Sequence, residues 1–255
     1  MIEQLIIEGL AIGACYGLFG VAVAIIYKTS EVVNFAQGEM GMIATFVAFH
    51  VLTVYNVPFW LAFVITMIFA GILGMLIEVC FLSPAKTPSV LGLIIITLGV
   101  EMLLMGLAGW KWGAEQKDFP FLLSVQKSIE IIPGLKLNEW SIGVFVLSGV
   151  LMVFMFLFFR FSKLGIAMRA TQQNVNAAKI MGIKVERVFS ITWAMSSLIG
   201  AVAAMFFAAR SVLEEGNPAA AGMEAKYQAN RARVINSLSV RTQGALTMNI
   251  PPDDL

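Results

Sequence analysis

The sequence predicts an all-α, polytopic membrane protein with about six transmembrane helices and a short helix in a cytoplasmic loop. Its composition is 59% hydrophobic and 13% charged, with a mean hydropathy of +0.85, which lies well outside the range of a soluble domain. Apolar runs alternate with polar connections along the chain. One connection is densely basic, as cytoplasmic loops are.

Six apolar runs are about as long as the roughly 20 residues that a spanning helix needs. The predicted spans cover residues 9–27, 38–55, 58–82, 90–110, 140–159 and 188–209. The second and third are divided at Pro58, because a proline disfavours helix at the residue before it. No Lys or Arg precedes Lys28. The basic region of a secretory signal is therefore lacking, and we expect the first span to be retained.

The predicted orientation depends on residues 160–187, here called the basic loop. This stretch holds six basic residues against the single acid Glu186. The six are Arg160, Lys163, Arg169, Lys179, Lys184 and Arg187. Because short loops rich in Lys and Arg stay in the cytoplasm, we expect a cytoplasmic basic loop and an N-terminus outside the inner membrane of a bacterial-type cell.

Glu101 lies near the middle of the fourth predicted span. A charged side chain there costs at least about 2.5 kcal/mol unless it is neutralised, paired or facing water. Glu101 is therefore predicted to face protein or a cavity. The sequence leaves open whether it lines a path through the membrane or ties two helices together.

Several classes of function are disfavoured by composition. The formal net charge of +1 gives no reason to expect nucleic-acid binding, which needs clustered positive charge on a soluble surface. Cys15 and Cys80 fall in apolar runs, where we interpret them as small hydrophobic side chains. His50 has no companion set of ligands, which argues against a metal site. The sequence contains no phosphate-binding loop of the Walker type, so this chain is not expected to hydrolyse ATP itself.

Within the basic loop, residues 171–184 (TQQNVNAAKIMGIK) are predicted to form one short helix. Ala177 and Ala178 are strong helix formers, and Gly182 is suited to the left-handed conformation that ends a helix. A short helix of this kind suits a groove on another protein. The alternative is an ordinary amphipathic helix at the membrane interface.

Three separated stretches resemble the branched-chain amino acid permeases of ABC importers. They are VVNFAQGEM at residues 32–40, IIITLGVEMLLMGLAGWKWG at residues 94–113, and residues 164–204, which begin LGIAMRATQQN and end GAVAA. In the last stretch, Ala177-Ala178 followed by Gly182 looks like the loop whose coupling helix docks on the ATP-binding subunit. The resemblance covers about residues 5 to 208.

The resemblance implies a permease subunit of an ATP-driven importer, not an enzyme, that carries branched-chain or other hydrophobic amino acids across the inner membrane. The implied partners are ABC ATP-binding subunits, a second permease subunit, an extracytoplasmic solute-binding protein and membrane lipid. No cofactor is expected in this chain, because ATP is bound by the partner. The predicted ATPase-coupling residues are Arg169, Ala177, Ala178 and Gly182, and the predicted translocation-pathway residues are Asn34, Gln37, Gly38, Glu39 and Glu101.

The chain departs from the family pattern in two places. Gln37 stands where the family usually has His, which keeps a neutral hydrogen-bonding side chain but loses any proton-dependent role. After the sixth span the family continues with a Gly-rich apolar region, whereas residues 211–255 are polar and have no apolar run of span length. We therefore divide the chain into a transmembrane permease domain, residues 1–210, and a polar tail, residues 211–255, with the composition of loop, short helix or disorder. The tail is either a genuine divergent terminus or the product of a reading-frame change, and we favour the second.

Other functions stay open at this point. A permease for urea or short amides would share the same loops, and substrate-dependent uptake would separate the two. A non-transporting, truncated membrane protein is suggested by the tail and would show no flux even with all partners present. An integral membrane enzyme is disfavoured, because paired intramembrane His, Asp or Glu clusters are missing from the sequence.

Overall fold

The computed structural model describes residues 2–85, 90–113, 128–132 and 135–215. The α-helices are α1 (Ile2–Ser30), α2 (Gln37–Thr53), α3 (Phe59–Ile77), α4 (Val90–Trp112), α5 (Glu139–Phe161), α6 (Lys163–Gln173), α7 (Val175–Ile180) and α8 (Val185–Glu215). A π-helical turn, Glu78–Leu82, continues α3, and an antiparallel hairpin of β1 (Ser128–Ile132) and β2 (Leu135–Asn138) precedes α5. The predicted all-α fold class is confirmed, although the sequence did not predict this hairpin. Most of the predicted tail, residues 216–255, lies outside the described residues.

Five helices in the described part of the chain are long and apolar enough to cross a membrane. They span Ile6–Ser30, Phe59–Leu82, Leu91–Trp112, Glu139–Phe161 and Val185–Arg210. The remaining predicted span, the second one at residues 38–55, corresponds to α2, which has 17 residues and is short against the roughly 20 that a bilayer requires. The chain is a multi-pass membrane protein, and the shortness of α2 directs attention to the residues before it.

Of the five long spans, α8 is buried most and α5 least. Ser196 on α8 donates a hydrogen bond to the carbonyl oxygen of Ala22 on α1. The indole Nε1 of Trp140 on α5 donates to the carbonyl oxygen of Phe206 at 3.2 Å. Because α8 also packs against α2 and α3, it is the central helix of the bundle.

Glycines let α2 and α3 approach α8 closely. A Cβ at Gly41 on α2 would lie 2.8 Å from Ala204 Cβ. A Cβ at Gly74 on α3 would overlap the carbonyl oxygen of Trp193 and lie 2.8 Å from Ser197 Cβ. Small residues at such contacts are typical of helices that pack within a membrane. We call the contact between α3 and α8 the α3/α8 seam.

The structure corrects the predicted single helix over residues 171–184. Helix α6 ends at Gln173 and α7 starts anew at Val175. Asn174 between them has extended backbone, and its Oδ1 accepts a hydrogen bond from the backbone N–H of Ala177 at 2.9 Å. The asparagine is thus an N-cap, and its capping geometry separates two helices that composition alone would join.

Candidate functional site

The connection between α1 and α2, residues 31–36, is non-helical and packed inside the bundle; we call it the break. Val32, Asn34 and Ala36 are buried there. Glu31 lies in the left-handed region with a φ of 57°, a conformation that costs an L-residue about 1 to 2 kcal/mol. Strained backbone is concentrated at sites of function, which makes the break a candidate site.

Contacts with neighbouring helices place the break deep in the bundle. Thr97 Oγ1 on α4 is 3.3 Å from the carbonyl oxygen of Val33, and Gln37 bonds Ser196 on α8. At 1.5 Å per residue, Thr97 lies about 10 Å along α4 from its first residue, and Ser196 about 16 Å along α8. The hydrocarbon core is about 30 Å thick. Non-helical backbone at such depth is tolerated only where protein encloses it or a cavity borders it.

Two predicted pathway residues, Asn34 and Gln37, meet Ser196 in a buried hydrogen-bonded cluster. Asn34 Nδ2 donates to Gln37 Oε1 at 3.0 Å, and Gln37 Nε2 donates to the carbonyl oxygen of Ser196 at 3.2 Å. Ser196 Oγ is placed to donate to Gln37 Oε1 at 3.0 Å or to Ala22 O at 2.7 Å. The side chain of Gln37 therefore connects the start of α2 with α8, 159 residues away in sequence.

The cluster depends on a glycine. A Cβ added at Gly200, one turn after Ser196, would overlap Gln37 Nε2. Because Gly200 has no side chain, the side-chain amide of Gln37 has room to contact α8. Serine and glycine in an apolar span are ordinary in membrane helices, so the sequence held no specific signal for the role of Ser196 or Gly200.

The remaining predicted pathway residues lie on α2 and α4. Glu39 in the first turn of α2 and Glu101 on α4 are both partly buried, and their carboxyl groups are close enough to interact electrostatically. A carboxylate in the first turn of a helix is favoured by the helix dipole. Gly38 is exposed, and a Cβ there would meet nothing within 4 Å. The structure thus joins Asn34 to Gln37 by a hydrogen bond, while the pathway role of all five residues stays a prediction.

The basic loop is held firmly to the bundle by α6. Ser162 Oγ caps this helix by accepting from the backbone N–H of Gly165 at 2.8 Å. A Cβ at Gly165 would lie 2.6 Å from the carbonyl oxygen of Phe158, so a glycine is needed for the tight reversal from α5 into α6. Met168 and Thr171 on α6 are buried. The loop therefore has one packed helix, α6, followed by the short helix α7.

Helix α7 ends in a Schellman motif, which is the glycine cap that the sequence predicts. Gly182 has a φ of 85°, and its N–H bonds the carbonyl oxygen of Lys179 at 3.0 Å. The N–H of Ile183 bonds the carbonyl oxygen of Ala178 at 3.0 Å. Both bonds of the motif are present, so α7 has a defined end and a fixed direction into α8.

The predicted coupling residues differ in exposure. Arg169 and Ala177 are exposed, whereas Ala178 is only 4% exposed and packs against its own chain. The most exposed apolar side chains of the loop are Ile180 at 85% and Met181 at 82%. These two residues were not among the predicted coupling residues. The sequence did contain a signal for them, because an Ile-Met pair directly before a glycine that ends a helix is an apolar pair in a polar loop. Whether any of these residues couples to an ATPase stays a prediction.

We expect Gly182→Phe to weaken the docking of the basic loop on its partner. Nothing lies within 4 Å of a Cβ at this position, so the effect comes from the backbone, where an L-residue with positive φ costs about 1 to 2 kcal/mol. Gly182→Asn is the matched control, because asparagine tolerates this conformation. Association with an ATP-binding subunit is measured by co-purification. Equal association of wild type, Phe and Asn variants would show that the cap does not shape a docking surface.

Metal and disulfide chemistry find no support in the described residues. Across these ranges, no group of three or more His, Cys, Asp or Glu side chains is placed to hold a metal ion. Cys15 is buried and Cys80 is exposed, and both are free. His50 makes an edge contact with the ring of Tyr55.

A bundle of long apolar helices around a buried, non-helical polar break defines a multi-pass membrane protein of the transport class. Residues 5–239 match the family described as the permease component of branched-chain amino acid transport systems, and the chain belongs to this family. The family prediction made from the three sequence stretches is confirmed. The match extends beyond residue 210, and the division into permease domain and tail stays a prediction.

Curated relatives have the same character. The chain is 25% identical over 233 residues to BraD of Pseudomonas aeruginosa, a high-affinity branched-chain amino acid transport system permease, with 87% of this chain and 76% of BraD covered. It is 28% identical over 211 residues to a probable LivH permease of Methanocaldococcus jannaschii, covering 79% of this chain and 65% of that one. LivH of Escherichia coli is 23% identical over 210 residues, with 78% and 68% covered. No solved structure matches the chain.

Proposed function

We propose that this chain is the permease subunit of an ATP-driven ABC importer that carries branched-chain and other hydrophobic amino acids across the inner membrane. The observation that carries the proposal is α7, a short helix capped at both ends that presents Ile180 and Met181 to solvent. Two such side chains, with Lys179 and Lys184 around them, make an apolar anchor within a basic loop. This combination suits a groove on an ATP-binding subunit.

The substrate class comes from the relatives. BraD and LivH are named as branched-chain amino acid permeases, and we extend that class to this chain. The proposed pathway passes Asn34 in the break and Gln37, Gly38 and Glu39 in the first turn of α2, and it includes Glu101 on α4. Broken helices near mid-membrane are where transporters commonly place their binding sites, which supports this choice.

The proposed ATP-binding partners follow from the lack of a Walker-type phosphate-binding loop in this chain. ATP is bound and hydrolysed by two partner subunits, so this chain needs no cofactor of its own. A second permease subunit completes the membrane part, and an extracytoplasmic binding protein delivers the solute. The N-terminus faces outside, and the basic loop with Arg169, Ala177, Ala178 and Gly182 faces the cytoplasm, in agreement with the retention of basic loops there.

In the proposed mechanism, ATP binding closes the two ATPase subunits and displaces α7, which is docked on one of them. The displacement passes into α8, because α8 begins at Val185, directly after the turn at Gly182. Helix α8 bonds Gln37 at the break through Ser196, so its movement changes access to the pathway. The loop must bind the ATPase differently in the two states, since only differential affinity shifts an equilibrium.

The test is extraction of the full chain from native membranes in mild detergent, identification of co-purifying proteins by mass spectrometry, and reconstitution with radiolabelled leucine or urea. We expect an ATP-binding subunit and a second permease to co-purify, and ATP-dependent uptake of leucine. Uptake of urea in place of leucine would assign the short-amide alternative. Recovery of the chain alone, with no flux of either solute, would favour a non-transporting protein.

A variant tests the anchor in the same experiment. Replacing Ile180 and Met181 together by Ser removes two apolar contacts, each worth about 1.5 to 3 kcal/mol when fully buried. Recovery of the ATP-binding subunit should fall by at least about tenfold, which corresponds to about 1.4 kcal/mol. Ile166→Ser, at an exposed apolar position on α6 of the same loop, is the matched control. Equal recovery with all three proteins would reject α7 as the docking element.

A further inference from the structure

The loop-bearing end of the α3/α8 seam holds a buried carboxyl group that the proposed mechanism does not use. Glu78 is 4% exposed and is the first residue of the π-helical turn Glu78–Leu82. The backbone N–H of Ser83 donates to the carbonyl oxygen of Glu78 at 2.8 Å, five residues back. Turns of this kind are rare within α-helices and are frequent at functional positions.

The partner of this carboxyl group lies on the other helix of the seam. Ser190 Oγ donates to Glu78 Oε2 at 2.5 Å, within the short range of charge-assisted O–H···O bonds. The same Oγ is 3.1 Å from the carbonyl oxygen of Glu186, one turn earlier on α8. A serine in a helix often bonds only its own backbone. Here Ser190 also reaches a side chain 112 residues away.

Next to this hydrogen bond, α3 and α8 are closely packed along the α3/α8 seam. A Cβ at Gly74, one turn before Glu78, would overlap the carbonyl oxygen of Trp193. Further along, a Cβ at Gly71 would lie 3.7 Å from Leu198 Cγ. The two antiparallel helices are therefore packed backbone to backbone, and the Glu78–Ser190 bond joins them at the end that carries the basic loop.

The position of Ser190 connects this bond with the coupling loop. It lies five residues into α8, which starts three residues after Gly182. A displacement of α7 thus reaches Ser190 through less than two turns of helix. Through Glu78 it reaches α3, which in turn packs against α2 and the residues after the break. Energetic coupling is carried by contiguous packed and hydrogen-bonded elements of this kind.

We propose that Glu78 is a positioning residue which, through Ser190, makes α3 move together with α8 when the ATP-binding subunit displaces α7. This inference rests on the proposed function for the source of the movement. It adds a second route into the bundle, distinct from the contact between Gln37 and Ser196. Loss of the Glu78–Ser190 bond should leave α7 free to dock and ATP hydrolysis intact, while the movement reaches α3 only weakly.

The first test measures coupling in the reconstituted full assembly. Ser190→Ala and Glu78→Leu should each lower the amount of solute imported per ATP hydrolysed by at least about fivefold, the lower bound typical of coupling between sites. Glu78→Gln keeps a hydrogen-bond acceptor for Ser190 and should restore most of the ratio. Ser148→Ala is the matched control, because Ser148 Oγ bonds only the carbonyl oxygen of Phe145 in its own helix. A purely structural role would lower the folded yield and leave this ratio unchanged.

The second test does not depend on transport. Cys80 is exposed and lies in the same π-helical turn as Glu78, whereas Cys15, the other of the two cysteines, is buried. The rate at which a maleimide labels Cys80 therefore reports on this turn. In the assembly with its ATP-binding subunit, ATP should change the labelling rate of wild type and Ser148→Ala, and most of that change should be lost in Ser190→Ala.

The two tests separate the failure of this inference from that of the proposed function. The wild-type assembly could import no solute while ATP still changes Cys80 labelling and Ser190→Ala removes that change. The proposed substrate would then be wrong, and the role of the Glu78–Ser190 bond would be supported. If wild type transports, and Ser190→Ala keeps both the amount of solute imported per ATP hydrolysed and the ATP-dependent change in Cys80 labelling, the proposed role of the Glu78–Ser190 bond is refuted. In a wild-type assembly that transports, a labelling rate of Cys80 that ATP leaves unchanged refutes the inference as well.

Discussion

Gly74→Val should destabilise the folded protein more than any other single change at the helix contacts described above. The new Cβ would overlap the carbonyl oxygen of Trp193 and crowd Ser197 Cβ. The part of Trp193 that faces Gly74 is its backbone carbonyl group. A backbone group in the middle of a central helix has little freedom to move away. Overpacking of this kind costs about 3 kcal/mol at the upper end of its usual range. We expect a clearly lower midpoint of thermal unfolding in detergent and a smaller monodisperse fraction.

Gly149→Val is the matched control for this prediction. Gly149 also lies inside a spanning helix, α5, but nothing is within 4 Å of its Cβ position. The two variants therefore share the same change in side chain and differ only in the neighbour that it meets. Equal unfolding midpoints for the two would mean that α3 and α8 are not in backbone contact at the α3/α8 seam.

The spans were predictable because a bilayer imposes a simple requirement on sequence. Every backbone group in hydrocarbon must be bonded within the segment, so uncharged runs of span length leave few alternatives to helix. Pro58 predicted the end of one such run correctly, since α3 begins at Phe59. The second span was also placed well, since it was predicted at residues 38–55 and α2 runs Gln37–Thr53. What composition could not show is that residues before α2 are buried, because a polar stretch of this length also suits a short loop at the surface.

The break itself was predicted as a polar interruption, but its partners were not. Ser196 sits in an apolar run, where a serine hydroxyl usually bonds its own helix. Its contact with Gln37 crosses 159 residues of sequence and depends on the missing side chain of Gly200. Contacts of this kind are set by how helices pack, and hydropathy along one chain carries no information about them.

The coupling loop shows the same division between local and tertiary information. The glycine cap at Gly182 was predictable, because only local backbone geometry is involved. Asn174 was an overlooked local signal, since asparagine is among the preferred N-cap residues. The burial of Ala178 and the exposure of Ile180 depend instead on how α7 sits against the bundle. Sequence therefore indicated the loop and its glycine stop, but it could not indicate which of the loop's side chains are exposed.

Gln37→Leu should abolish most transport while leaving a larger folded fraction than Gly74→Val. Leucine is similar in size but makes none of the hydrogen bonds that join Gln37 to Asn34 and Ser196. Each buried polar group left without a partner costs about 1 to 3 kcal/mol, and Asn34 and Ser196 would each lose Gln37 as a hydrogen-bond partner. The conformation of the break should therefore change.

We expect ATP-dependent uptake by Gln37→Leu to fall by at least about tenfold, which corresponds to roughly 1.4 kcal/mol. Uptake is measured in proteoliposomes and normalised to folded protein. Gln37→His should retain much of the activity, because a neutral histidine still offers a donor and an acceptor. Thr45→Val on α2 is the control for loss of a polar atom, since its hydroxyl bonds only the carbonyl oxygen of Gly41 in the same helix. Wild-type uptake by Gln37→Leu would remove the break from the translocation pathway and leave the Glu39–Glu101 pair as the remaining candidate.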